Sequence, residues 1–378
     1  MDYNKTLNKY LKQNCANHYG EMHSKLTLKT YKTFIVIPCY AEHDYIFTTL
    51  DSINNQDTAL LKSCLVVIVV NNSVLDSVEI KDNNKKTYEL LKLKKYNFEF
   101  VMIDCYSKKH ALRSNIAGVG MARKIGLDYC LMFAKNKKSL LCSLDADTQI
   151  HNNYLHHVTS FFNKNEVEAS VINFKHQKSK DKIIEEGIRK YEFIIKNIAK
   201  EIDNTGSPYG YVSLGSTIIC TLKAYIACGG MSKKKATEDF YFLQALAKHT
   251  PIKKIKNILV FPSSRNNQRV YLGTGFRMKE YKKNKEFKYL NYSKKSFKKL
   301  KNLISLVDAS WNKEYNIFLS EIMKILDKKI IDFLIEKKIE TVWNNIRKNS
   351  KNKNQFMHFF HQWFDALTII QFLKKLNN

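Results

Sequence analysis

An α/β fold, built on a mostly parallel twisted sheet flanked by helices, is predicted by three observations. Short β-branched runs alternate with helically spaced segments through the first 150 residues. Residues 64–70 (CLVVIVV) are apolar at every position, the mark of a strand buried on both faces. Beyond residue 276 the alternation ceases and helical spacing takes over, which predicts a helical C-terminal extension.

The elements follow in order. Residues 33–39 (TFIVIPC) form a strand whose ladder ends at Pro38, since proline has no N–H to give. Helical spacing covers 44–55, and the buried strand 64–70 comes next. A charged helix over 83–95, a strand over 98–104 (FEFVMID), a helix over 119–134 and a strand over 140–144 complete a βαβαβαβ order. Right-handed crossovers then place every strand's carboxyl end on one edge, where ligands of such sheets bind. After Asp147 the pattern loosens. Helices are expected over 152–163, 182–203 and 236–248, strands over 217–219 and 258–261, and a glycine-bearing loop over 206–215.

The chain has 378 residues, 44 % of them apolar, enough for a sizeable core. Lys and Arg number 63 against 35 Asp and Glu, a formal net charge of +28. Such an excess points to an anionic partner: nucleic acid, a phosphate-bearing substrate or an anionic membrane surface. A Lys-rich codon usage expressed on the surface produces the same excess. The basic run from Arg277 to Lys301, interleaved with Phe287, Tyr289, Tyr292 and Phe297, suits a nucleic-acid-binding protein without catalysis, or peripheral docking on anionic headgroups. No helix-turn-helix, zinc-finger or RNP motif accompanies it, so nucleic acid is not the expected partner. No two of the eight Cys are spaced C-x-x-C, which leaves zinc ribbons and thioredoxin-like redox motifs unsupported. Residues 1–20 hold no apolar signal core, and 356–373 is too polar to span a bilayer. The expected location is cytoplasmic, with peripheral contact to the inner face of the membrane.

Several segments carry chemistry. Asp145-Ala146-Asp147 follows the strand over 140–144. In an extended segment, residues i and i+2 point the same way, about 6–7 Å apart. Two carboxylates so placed can share one hard divalent cation, Mg²⁺ or Mn²⁺, and leave positions open for phosphate oxygens. A solvated turn after a strand has the same composition. Glu42, after the strand ending Pro38-Cys39-Tyr40, is placed to accept bonds from a ribose or base, or to sit at a helix N-terminus. Asn71-Asn72-Ser73 ends the next strand, where amides can read a base or make a turn. Arg123 and Lys124 open a helix, near enough for a diphosphate or merely as surface charge. Thr237-Glu238-Asp239 supplies either a general base or an ordinary capped helix start with Thr237 as the cap. Arg265 and Arg269 lie in a polar, glycine-bearing segment (RNNQRVYLGTG) fit to hold a leaving diphosphate or to form a surface hairpin.

In this order the motifs resemble the inverting family 2 glycosyltransferases of the GT-A fold. The resemblance rests on Ile35-Val36-Ile37-Pro38-Cys39-Tyr40-Ala41-Glu42, residues 67–73, GMARKIGL from Gly120, residues 144–147, Gly215-Ser216, Gly229-Gly230 and Thr237-Glu238-Asp239. It covers residues 31–275, with an N-terminal arm over 1–30 and a basic helical region over 276–378. Gly273-Thr274-Gly275 and Trp363-Phe364-Asp365-Ala366-Leu367 look like those of uncharacterised bacterial members. The resemblance implies a sugar moved from a nucleotide-diphosphate donor to a saccharide or lipid-linked acceptor, in cell-surface glycan synthesis. It implies Asp239 as base with Glu238 in support, Asp147 and Asp145 on Mn²⁺ or Mg²⁺, and Pro38, Tyr40, Glu42, Asn72, Arg123, Asp145 and Arg269 around the donor. Ala41 stands where the family commonly has Asn, and Asn71-Asn72 replaces a frequent Asp-Asp or Asp-Asn pair. The Gln-x-x-Arg-Trp signature of processive synthases is absent, which favours single or short-chain addition.

Overall fold

The alternation is realised as one nine-stranded sheet. The computed structural model describes residues 3–24, 26, 27, 30–266, 273–287 and 290–377. The strands are β1 (Glu21–His23), β2 (Thr33–Cys39), β3 (Cys64–Asn71), β4 (Glu99–Cys105), β5 (Leu140–Ser143), β6 (Gln149–Ile150), β7 (Ala169–Phe174), β8 (Ile218–Thr221) and β9 (Ile252–Phe261). Their spatial order is β1-β4-β3-β2-β5-β8-β7-β9-β6. Strands β2, β3, β4, β5, β7 and β9 run one way, while β1, β6 and β8 run against them. Every residue of β2 and β3 is buried, as the unbroken apolar runs require. The carboxyl ends of β2, β3, β4 and β5 therefore share one edge.

Pro38 does not end its strand. It stays in register opposite Val69, and the pairing runs on to Cys39. The pairing of β2 with β5 stops at Val36, whose carbonyl accepts from Leu144 N at 3.0 Å. Side alternation turns Pro38 toward β5 just past that last pair, where no acceptor needs its missing N–H. Strand β9 begins at Ile252 rather than 258, because Lys253, Lys254 and Lys256 interrupt its apolar pattern on an exposed face. The helix Tyr3–Gln13 and the strands β1 and β7 were not apparent in the sequence pattern.

The helix Val119–Tyr129 lies directly on the sheet. A Cβ on Gly126 would fall 2.4 Å from Val36 Cγ1 and 2.9 Å from Val69 Cγ2, so only glycine allows the approach. The end of that helix is tied to the N-terminal segment through Asp128, which is wholly buried. Its carboxylate accepts from Tyr10 Oη at 2.6 Å, Tyr225 Oη at 2.7 Å and the Ala16 amide at 2.7 Å, with Lys124 Nζ at 3.1 Å.

The described chain forms two compact units. One takes residues up to Glu192 with Ser213–Glu286, and the other Phe193–Val212 with Phe287 onward. The second unit is helical: Lys294–Ala309, Tyr315–Ile325, Lys328–Glu336, Ile339–Asn349, Lys353–Trp363 and Ala366–Asn377. Its core is aromatic. Trp343 stacks on Phe318 at 3.8 Å, and Phe364 stacks on Phe360 at 5.5 Å. Among the described residues, no helix is long and apolar enough to cross a membrane.

Removing the Asp128 carboxylate strands the buried Lys124 ammonium. Asp128→Ala is expected to lower unfolding free energy by about 3–5 kcal/mol, measured by urea denaturation. Tyr10→Phe, which removes the hydroxyl's bonds to Asp128 and to Lys124 but leaves the ion pair in place, is expected to cost less, about 1–3 kcal/mol in the same measurement.

Candidate functional site

The shared strand edge opens into a cavity of about 570 Å³. Pro38, Tyr40 and Glu42 reach it from the end of β2, and Asn71, Ser73 and Asp76 from the end of β3. The turn Asp145–Asp147 comes from β5. Arg123 enters from the helix Val119–Tyr129, Glu238 and Asp239 from the start of the helix Glu238–His249, and Arg265 from beyond β9. Residues from widely separated segments are thus gathered where α/β sheets hold ligands.

Arg123 is buried rather than surface charge, and it reaches the cavity from inside the protein. Its side chain is 2 % exposed. Nη2 pairs with Asp145 Oδ1 at 2.7 Å and stands 3.6 Å from Glu238 Oε1. Nη1 donates to Ser143 Oγ and, at 3.3 Å, to the Gly215 carbonyl. A Cβ on Gly215 would sit 2.6 Å from Nη2, so the glycine makes room for the guanidinium. Burying a cation is tolerated only with such partners.

Asp145 and Asp147 face one cavity but not as an extended pair. Ala146 and Asp147 form a turn closed by Thr148 N donating to the Asp145 carbonyl at 3.1 Å. The turn sends the carboxylates to different partners. Asp145 takes Arg123 and, through Oδ2, Ser216 Oγ at 2.7 Å. Asp147 Oδ2 pairs with Arg265 Nη2 at 2.6 Å, and the same nitrogen donates to Glu42 Oε1 at 2.6 Å. The guanidinium lies over the Tyr45 ring, 4.3 Å from its centroid. Arg269 lies outside the described residues.

Asn72 does not line the cavity. It is fully buried, donates to the Ser73 carbonyl at 3.0 Å and accepts from Asn84 Nδ2 at 3.0 Å. Asn71 lines the cavity in its place, since alternation along β3 turns neighbours to opposite sides. Asn84 also accepts from the Ala41 amide at 2.9 Å. Ala41 is left-handed, with φ 51°, a region Asn enters more easily than Ala.

Thr237 is also left-handed, with φ 61°, and its hydroxyl bonds the Ala236 carbonyl at 2.6 Å, so it does not cap the helix with its side chain. The strained start turns Glu238 and Asp239 inward. Burial pushes the Glu238 carboxyl up to about 7, and the neighbouring Asp239 charge adds to it while Arg123 opposes. Burial likewise raises Asp239, against the Phe240 amide and Arg123. Two interacting carboxyls side by side titrate as a pair.

The donor chemistry fits a divalent ion held in part by phosphate. Among the described residues, no three His, Cys, Asp or Glu side chains gather into a cage. Mg²⁺ commonly takes one or two carboxylates and completes its shell from substrate phosphates and water, and the Asp147 carboxylate at the cavity suits that arrangement. Asn84, the bond from Ser216 to Asp145 and the central place of Arg265 were missed by sequence reasoning; they depend on contacts between segments far apart in the chain.

No protein-family model matches the sequence, and no curated protein matches it. Two solved structures are among those similar to this chain. TarS residues 1–349 from S. aureus, in complex with UDP-GlcNAc, is 14 % identical, with 88 % of this chain and 91 % of that one covered at a TM-score of 0.44. The mannosyltransferase PcManGT from Pyrobaculum calidifontis, in complex with GDP-Man and Mn²⁺, is 12 % identical, with 96 % and 94 % covered at a TM-score of 0.42.

The raised Glu238 carboxyl carries a stability signature. A carboxyl moved from 4.5 to about 7 on folding binds its proton more tightly in the folded state, so its contribution is full below 4.5 and lost as pH rises to about 7. Unfolding free energies of the wild type and Glu238→Gln, measured from pH 4 to pH 8, are expected to diverge in favour of the variant between about 4.5 and 7. A constant difference across that window would contradict the assignment.

Proposed function

We propose that the chain transfers a glycosyl group from a nucleoside-diphosphate sugar to an acceptor hydroxyl, with inversion. One observation carries the proposal: an inward-turned pair, the buried Glu238 and the half-buried Asp239, shares one cavity with the Asp145–Asp147 turn and the Arg265 guanidinium. A base and an anion-receiving group are what a displacement at an anomeric carbon needs.

The nucleoside lies toward Tyr40, Glu42 and Asn71 at the ends of β2 and β3. Asp239 accepts the acceptor hydroxyl's proton as its oxygen bonds to the anomeric carbon. The bond from that carbon to the diphosphate breaks in the same step, and the leaving group takes the electron pair. Arg265 receives the charge that develops on the diphosphate. Glu238, bridged to Asp145 by Arg123, sets the electrostatics around the base. A divalent ion at Asp147, Mn²⁺ or Mg²⁺, supplies further neutralisation of the diphosphate when bound. A single displacement inverts the anomeric centre.

Release of nucleoside diphosphate from a panel of nucleotide sugars tests the reaction class, and NMR of the product tests the stereochemistry. Asp239→Asn is expected to lower kcat by about 10²–10⁴-fold, the usual worth of a general base. In the wild type kcat/KM should rise with pH above the ordinary carboxylate range, because burial raises both carboxyls of the pair. A product that keeps the donor's anomeric configuration would refute the single displacement.

A further inference from the structure

Four carboxylates border the donor side of the cavity: Glu42, Asp76, Asp145 and Asp147. Asp76 accepts from the Ser73 amide at 2.7 Å. Among the described residues no three of the four gather as one cluster, so at most two converge on any one point. Asp145 has both oxygens committed, Oδ1 to the buried Arg123 at 2.7 Å and Oδ2 to Ser216 at 2.7 Å. Withdrawing it would leave Arg123 buried with a weakened partner set. Glu42 and Asp147 are arranged differently. One oxygen of each lies 2.6 Å from the same nitrogen, Arg265 Nη2. That nitrogen is already a point where two carboxylate oxygens meet a positive charge.

We propose that Glu42 and Asp147, rather than Asp145 and Asp147, are the carboxylates that share the divalent cation, and that Arg265 holds their place until the ion arrives. A hard divalent ion sits about 2.1 Å from its oxygens, so each carboxylate oxygen closes in by about half an ångström once the guanidinium leaves. Arg265 is free to leave in a way Arg123 is not. Its side chain is 19 % exposed, against 2 % for Arg123, and it rests on the partly exposed Tyr45 ring. Arg265 sets a positive charge against both carboxylates. With the ion in place, its two charges match the carboxylates, and the displaced guanidinium is available to a diphosphate in the bidentate geometry it favours. The inference deepens the glycosyl-transfer proposal and rests on it only for the identity of the diphosphate; the cation site itself is testable without any nucleotide.

The test is titration of the full chain with Mn²⁺ alone, followed by calorimetry and by the EPR signal of free Mn²⁺. Wild type, Arg265→Met, Glu42→Gln and Asp145→Asn are compared, each checked for folding by near-UV circular dichroism. Removal of the competing guanidinium in Arg265→Met should tighten Mn²⁺ binding about 10-fold, while loss of a ligand in Glu42→Gln should weaken it at least about 10-fold. Asp145→Asn should alter it by less than about 3-fold. Weakened binding in Asp145→Asn with retained binding in Glu42→Gln would overturn the assignment, as would failure of folded Arg265→Met to bind Mn²⁺ more tightly than the wild type. A protein that binds Mn²⁺ as stated yet turns over no nucleotide sugar would leave the cation site standing and defeat the glycosyl-transfer proposal instead.

Discussion

The site is organised around a charge that has been taken out of water. The Arg123 guanidinium is buried, and a buried cation is stable only where the surrounding groups answer it. Four groups from three segments do so: Ser143 at the end of β5, Asp145 just beyond it, the Gly215 carbonyl and Glu238. Each must stand where the guanidinium can reach it, so the arginine fixes the distance between the Asp145–Asp147 turn and the carboxyl pair. The helix that bears Arg123 is itself held against β2 and β3 through Gly126 and clasped at its far end by Asp128. The packing of one helix on a buried parallel sheet thereby sets the geometry of a polar site.

The two arginines divide the carboxylates between them. Arg123 ties Asp145 and Glu238 from the interior, and Arg265 ties Glu42 and Asp147 from the mouth. Strain lies beside both groups. Ala41 precedes Glu42, Thr237 precedes Glu238, and both are non-glycine residues in the left-handed region. Such conformations persist where the surroundings over-determine them, and here each aims a carboxylate into the cavity. Asn84 secures the first by bonding the Ala41 amide and the ends of β3 together.

Much of the sheet was legible because burial on both faces writes itself as an unbroken apolar run. Strands β2, β3 and β5 fall within a residue or so of the runs that predicted them. Strand β9 was read too short because its exposed lysines break the run, and β7 was missed altogether. The residues of the site were legible as types at a sheet edge, so Glu42, Asp145, Asp147, Glu238 and Asp239 all reach one cavity. Their partners were not. A charged residue at a helix start reads as surface, which hid the burial of Arg123. Asn71 and Asn72 differ only by strand parity, and a sequence does not fix where the strand's twist leaves that parity. Glu42 and Arg265 are 223 residues apart, a pairing that only the assembled sheet reveals.

The most direct test of the account is calorimetric titration of the chain with UDP and with GDP in the presence of Mn²⁺. The account predicts saturable binding of one of them, weakened when Mn²⁺ is withdrawn and lost in Asp147→Ala. Absence of binding to both by the folded protein, with Mn²⁺ present, would contradict the cavity's role as a nucleotide-sugar site.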